Sequence, residues 1–132
     1  ATARKLRCHV CVGHVRLDPD TGEMFNSQTT VDGSGAVVAC YDKTHLYFMD
    51  EKWAVESNTG FKQTQLALKV LKPDGETPRA ITRRHVTVTN AICMDINPYR
   101  FEAPWEAHEL ATASDGSDLV SFILIRVRTQ AM

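Results

Sequence analysis

The sequence predicts a mixed α and β domain, and three observations carry that prediction. Short runs rich in β-branched residues are separated by Gly- and Pro-marked turns. An Asp-Gly loop with hairpin chemistry lies between two of those runs. Pro104 opens a stretch whose apolar spacing suits a helix, because proline is tolerated at a first helical position. No repeat, low-complexity tract or linker divides the chain, which reads as one unit or a piece of one.

Taken in order, Leu6 to Val15 is a predicted strand, dense in valine and cysteine. Asp18-Pro19-Asp20-Thr21-Gly22 is a turn, since proline presets φ and glycine accepts positive φ. Strands are expected at about Asn26 to Val31 and Ala36 to Tyr41, joined through Asp32-Gly33-Ser34-Gly35. Lys43 to Thr59 is polar and aromatic with no clean period, which predicts a long loop with a short helical turn. Leu66 to Leu71 is a strand closed by a turn at Lys72-Pro73-Asp74-Gly75, and His85 to Met94 is another. Pro104 to Ala113 is the expected helix, and Asp118 to Val127 the most apolar strand.

Composition narrows the class. The 132 residues carry 15 basic and 16 acidic side chains, a formal charge of −1, with 43% hydrophobic residues. Disordered, collagen-like and coiled-coil chains are thereby excluded, and a soluble domain is expected. The balanced charge argues against nucleic-acid and membrane-surface partners. A bilayer span needs roughly 20 apolar residues. The longest apolar run, Leu119 to Val127, is broken by Ser121 and Arg126. Ala1 to Arg7 is basic but leads into no apolar stretch of the secretory kind. Cys8, Cys11, Cys40 and Cys93 are too sparse for a disulfide scaffold, and Cys8-His9-Val10-Cys11 has no second pair to complete a zinc site. They read as reduced cysteines in a reducing interior such as the cytoplasm.

Cys93 closes a predicted strand and precedes Met94-Asp95-Ile96-Asn97-Pro98. A strand-to-turn junction presents a side chain from a rigid backbone, which suits a nucleophile, and N–H groups after such a turn can meet an oxyanion. The plain alternative is a packed cysteine. Lys43 ends a strand ahead of Thr44-His45-Leu46-Tyr47-Phe48, where an ammonium could stabilise an oxyanion or be merely solvated. Glu51, in Asp50-Glu51-Lys52-Trp53, could orient that amine. His9, His14, His45, His85 and His108 have neither ligand nor triad spacing.

Together these segments resemble one family. Tyr41-Asp42-Lys43-Thr44-His45-Leu46-Tyr47, prefaced by Asn26-Ser27 and Gly35-Ala36-Val37-Val38-Ala39, is similar to the lysine motif of the carbon–nitrogen hydrolases, the nitrilase superfamily. Ala91-Ile92-Cys93-Met94-Asp95-Ile96-Asn97-Pro98-Tyr99-Arg100-Phe101-Glu102-Ala103-Pro104-Trp105 resembles the nucleophile segment of its fungal protein N-terminal amidase branch. Asp50-Glu51-Lys52-Trp53 and Gly60-Phe61 look like that branch too, and the likeness runs from about Cys8 to Ile125.

The resemblance implies part of an α-β-β-α sandwich, incomplete because the family's second half is lacking, so residues 1–132 read as a partial domain. It implies a Glu-Lys-Cys site that deamidates N-terminal Asn or Gln of peptides and proteins through a thioester, without cofactor or metal. Cys93 matches the nucleophile, Lys43 the oxyanion stabiliser and Glu51 a supporting glutamate. The general base does not map, because no Glu precedes Glu23. Arg16 stands where the branch often has a Glu, and Arg126-Val127-Arg128-Thr129 departs from the expected strand. An N-terminal amidase needs a carboxylate for the substrate's α-ammonium, and Asp95 is a candidate, with capping of its own turn as the alternative. Two other functions remain open: an inactive remnant with an interaction role, and another amide-cleaving member such as an ω-amidase. Strands without their sheet neighbours are also expected to promote self-association.

Overall fold

The computed structural model describes residues 2–71, 81–96 and 119–122. Two three-stranded sheets dominate it. A short helix, α1 (Thr2–Leu6), leads into β1 (Val10–Leu17), β2 (Met24–Val31) and β3 (Val37–Asp42), which form an antiparallel meander in that order. After a long loop, β4 (Gln63–Leu71) pairs antiparallel with β5 (Ile81–Ala91), and β5 pairs in parallel with β6 (Leu119–Phe122). The first strand thus begins later than the sequence suggests, with α1 and Cys8 ahead of it. The predicted turn at 72–75 and helix at 104–113 lie outside the described residues.

Turn chemistry sets the first sheet's register. Asp32 Oδ1 accepts from the backbone N–H groups of Ser34 and Ala36 at 2.8 and 3.0 Å and from the Ser34 hydroxyl, closing the hairpin as an Asx turn does. Gly35 takes a φ of +90° there, where a side chain would be strained. A Cβ on Gly33 would sit 3.0 Å from the Arg7 carbonyl carbon, so the loop fits only as glycine against the end of α1. Arg4 Nε donates to the Ser34 carbonyl at 2.8 Å from the same direction. That contact explains how a five-residue helix, too short to persist alone, is held. A one-residue bulge then enters β3, because Thr30 faces Ala39 while Val31 faces Val37.

Strand alternation sorts β1–β3 into two chemistries. On one face Arg16 grips Asp42 with two hydrogen bonds, Nε to Oδ1 at 3.0 Å and Nη2 to Oδ2 at 2.9 Å, and lies over the Phe25 ring at 4.3 Å. Ser27 also donates to Asp42. The Arg16 that departs from the branch pattern is therefore half of an ion pair. The opposite face carries Gln28, Thr30, Tyr41 and, one step past β3, Lys43, all buried. The Lys43 N–H extends the ladder to the Asn26 carbonyl at 2.9 Å, which fixes the direction of its side chain.

β5 is the central strand of the second sheet, and its end is buried on both faces: Val88, Thr89, Asn90, Ala91 and Ile92 are all inaccessible. A central strand with a parallel neighbour reads as a continuous buried run, not an alternating one. The strand stops at Ala91, and Cys93–Ile96 forms a 3-10 turn, so Met94 lies in that turn and not in the strand as predicted.

The Arg16–Asp42 pair yields the first prediction. Burial pushes the Asp42 carboxyl up, but hydrogen bonds from Arg16 and Ser27 outweigh it and hold it below its ordinary value. A depressed carboxyl contributes stability above its unfolded pKa of about 3.9 and loses it as pH falls through the folded value. Arg16→Glu should cost about 1–2 kcal/mol in urea unfolding at pH 7, since both partners are partly solvated. Arg16→Glu with Asp42→Arg should recover most of that loss, and wild-type stability should decline below about pH 4.

Candidate active site

The loop after β3 is organised around a buried ammonium. Lys43 is 2% exposed, and its Nζ pairs with Asp50 Oδ2. The same oxygen accepts the Tyr47 N–H at 3.3 Å, so one carboxylate both balances the lysine and folds the loop over it. A 3-10 turn at Asp50–Lys52 caps the segment, with the Asp50 N–H donating to the Tyr47 carbonyl at 2.7 Å. The Ser57 N–H donates to the Lys43 carbonyl at 3.0 Å, so the returning strand of the loop anchors the lysine backbone. Burying an ammonium is tolerable only with such a partner, because desolvation of an unpaired charge costs several kcal/mol, on the order of 3–5 when one partner is removed.

The carboxylate on Lys43 is therefore Asp50 and not Glu51, to which the sequence pattern assigns that role. Glu51 lies on the same turn and is exposed. Successive residues of a 3-10 turn point about 120° apart, so when Asp50 faces the lysine its neighbour cannot. Two adjacent acids in a loop without a period give no sign of which will turn inward.

Cys93 is exposed at the end of β5 with a φ of +50°, the left-handed region. A non-glycine residue held there stores strain of order 1–3 kcal/mol and persists only when its surroundings fix it. Asp95 fixes it. The Ile92 N–H donates to Asp95 Oδ2 at 2.8 Å while the Asp95 N–H donates to the Ile92 carbonyl at 3.2 Å, clasping the turn from both sides of Cys93.

The same carboxylate reaches the lysine loop. Asp95 Oδ2 accepts the Tyr41 hydroxyl at 2.8 Å and Oδ1 accepts the His45 N–H at 2.9 Å. Tyr41 and His45 flank Lys43 by two residues on either side. The Tyr41 ring stacks on Phe61 at 5.9 Å, and its oxygen lies 2.9 Å from Thr44 Oγ1. Burial and the Asp95 charge hold the phenol strongly protonated, as a donor to that charge must be. Burial pushes the Asp95 carboxyl up, opposed by its bonds from Ile92, His45 and Tyr41 and by the Lys43 charge. The lysine loop and the Cys93 turn thus share one buried network.

This network gives Asp95 partners within the chain. The residue is 0% exposed and its two oxygens accept from three groups of this chain. The turn-capping alternative holds, extended by a long-range bridge that sequence spacing could not show. Tyr41 is a site residue that sequence reasoning misses, although it lies two before the lysine, on the same strand face. Among the other cysteines, Cys11 lies in β1 and accepts from Thr30 Oγ1 at 3.3 Å. Among the described residues no cluster of His, Cys, Asp and Glu could hold a metal ion.

A buried lysine whose loop is joined through Asp95 to the turn of an exposed cysteine at positive φ is a frame suited to acyl transfer. The chain is 31% identical over 114 residues to protein N-terminal amidase of Saccharomyces cerevisiae and 29% identical over 111 residues to that of Schizosaccharomyces pombe. The chain is similar to one portion of these protein N-terminal amidases. Each alignment takes in 83% of the chain but only 24% and 33% of those relatives, so it spans a quarter to a third of their length. A crystal structure of N-terminal amidase matches with a TM-score of 0.65 at 25% identity, over 78% of this chain and 24% of that one. One with a Gln-Gly peptide matches with a TM-score of 0.66 at 24% identity, over 80% and 24%. No family model matches the chain.

The N-terminal amidase likeness makes the choice between Asp50 and Glu51 worth testing. Asp50→Ala should lower unfolding free energy by about 3 kcal/mol by stranding the Lys43 ammonium, whereas Glu51→Ala should stay within about 0.5 kcal/mol of wild type. Equal effects in a urea titration would contradict the assignment.

Proposed function

We propose that this chain carries the lysine and nucleophile portion of a protein N-terminal amidase, acting on peptides that begin with Asn or Gln. The single observation that carries the reading is the exposed Cys93, held at positive φ and joined through Asp95 to the loop of buried Lys43. Solved N-terminal amidases with Asn-Glu-Ala and Gln-Gly peptides support this substrate class.

In the proposed reaction a general base takes the Cys93 proton, and the thiolate attacks the side-chain carboxamide carbon of the first residue. The carbonyl oxygen becomes an oxyanion that Lys43 stabilises. The tetrahedral species collapses with transfer of a proton to nitrogen, ammonia leaves, and a thioester forms. Water hydrolyses that thioester, returning the thiol and leaving Asp or Glu on the peptide. Asp50 takes the lysine-supporting role that the sequence pattern assigns to Glu51. No described carboxylate is hydrogen-bonded to Cys93, so the base is assigned to none of them. The architecture proposed around this portion is the α-β-β-α sandwich, with residues 1–132 as one partial domain.

The apolar side chains exposed along β1, an edge strand carrying Val12, Val15 and Leu17, support self-association as well. Size-exclusion chromatography should show species larger than a monomer at micromolar concentration. A single monomeric peak would count against it.

The decisive assay incubates the purified chain with an Asn-Glu-Ala peptide and follows ammonia release and the one-dalton mass gain. Losing a general base costs about 10² to 10⁴ in rate, and no described carboxylate bonds Cys93, so little or at most slow conversion is expected from residues 1–132 alone. That conversion should disappear in Cys93→Ala and with an N-acetylated peptide. Conversion that survives Cys93→Ala would refute the reading.

A further inference from the structure

We propose that Asp95 is a positioning residue whose carboxylate locks the Cys93 turn onto the Lys43 loop, so that the reactivity of the thiol depends on the lysine through it; this rests on the amidase reading of Cys93 and Lys43. Its three partners come from two chain segments about 50 positions apart: Ile92, immediately before the nucleophile, and Tyr41 and His45, on either side of the lysine. All three bond to its two oxygens, so one carboxyl group holds both segments at once.

Asparagine would fit the space but not the pattern. Its amide nitrogen would face either the His45 N–H or the Ile92 N–H, a donor against a donor, and one strut would open. Tyr41→Phe keeps the carboxylate and removes a single donor. The charge has a cost, since burial pushes the Asp95 carboxyl up. A group whose folded pKa is raised contributes most stability below its unfolded value and loses it as pH rises through the folded value.

The test measures iodoacetamide labelling of Cys93 against exposed Cys8 in the same molecule, by mass spectrometry at pH 7, in wild type, Asp95→Asn, Tyr41→Phe, Lys43→Met and the Asp95→Asn/Lys43→Met double variant. The Cys93-to-Cys8 ratio should fall about tenfold in Asp95→Asn and about threefold in Tyr41→Phe. Lys43→Met should lower it severalfold in wild type but less than about twofold when Asp95 is already Asn, because the two act through one path. A purely structural Asp95 would leave the effect of Lys43→Met the same in both backgrounds, and that result overturns the proposal. If Asp95→Asn does not keep the wild-type circular dichroism, Tyr41→Phe decides, and an unchanged ratio there also overturns it. Coupling together with conversion of the Asn-Glu-Ala peptide that survives Cys93→Ala would uphold the positioning role while removing the amidase reading. Conversion without coupling would do the reverse.

Discussion

A single inaccessible carboxylate carries the geometry on which the rest of the site depends. Asp95 accepts from Ile92, His45 and Tyr41, so its loss would take a hydrogen-bond partner from all three. The cost is shared between two segments that lie far apart in sequence, so neither can shift without exposing the other. Such a network is rigid because all of its members are satisfied at once. The positive φ of Cys93 is stable for the same reason: the turn is clasped from both sides, and the strain is held locally by bonds that reach across the fold.

The period of a strand explains how two charge systems can sit on successive residues without interfering. Asp42 points to the face where Arg16, Ser27 and Phe25 lie, and Lys43 to the face of Tyr41. The first pair is partly solvated and joins β1 to β3. The second is buried and joins the loop to the end of the sheet. A one-residue slip in the β2–β3 register would exchange them, sending the lysine outward and the aspartate into the polar interior. The Asx turn at Asp32 and the bulge near Val31 pin that register, so the hairpin loop is indirectly a determinant of the active site.

What the sequence makes legible is local in origin. The hairpin at 32–35 can be read because an aspartate and two glycines suffice to build it. The strands around it follow from β-branched runs, and the motif residues Cys93 and Lys43 stand where a strand gives way to a turn. The helix at the start is not legible, because five residues have no helical propensity worth reading and Arg4 holds it through a bond to Ser34, 30 positions away. The choice of Asp50 over Glu51 turns on the rotation of one short turn, which composition does not encode. Asp95 is legible as a turn cap but not as a bridge, since its other partners lie 50 and 54 positions upstream.

The arrangement also bears on why a lysine should be kept buried at all. Its ammonium has been stripped of water during folding, with Asp50 in contact and Asp95 near enough for its charge to be felt. In a site of low effective dielectric, a positive charge held in place stabilises a developing oxyanion more than it would in water, and nothing has to reorganise when the charge appears. The paired aspartate tempers that gain, because it offers the lysine a competing anion in the resting state. Yet without it the ammonium would be too costly to bury. The two carboxylates therefore have separate roles. Asp50 makes the lysine tolerable, and Asp95 bonds the Cys93 turn to the lysine loop.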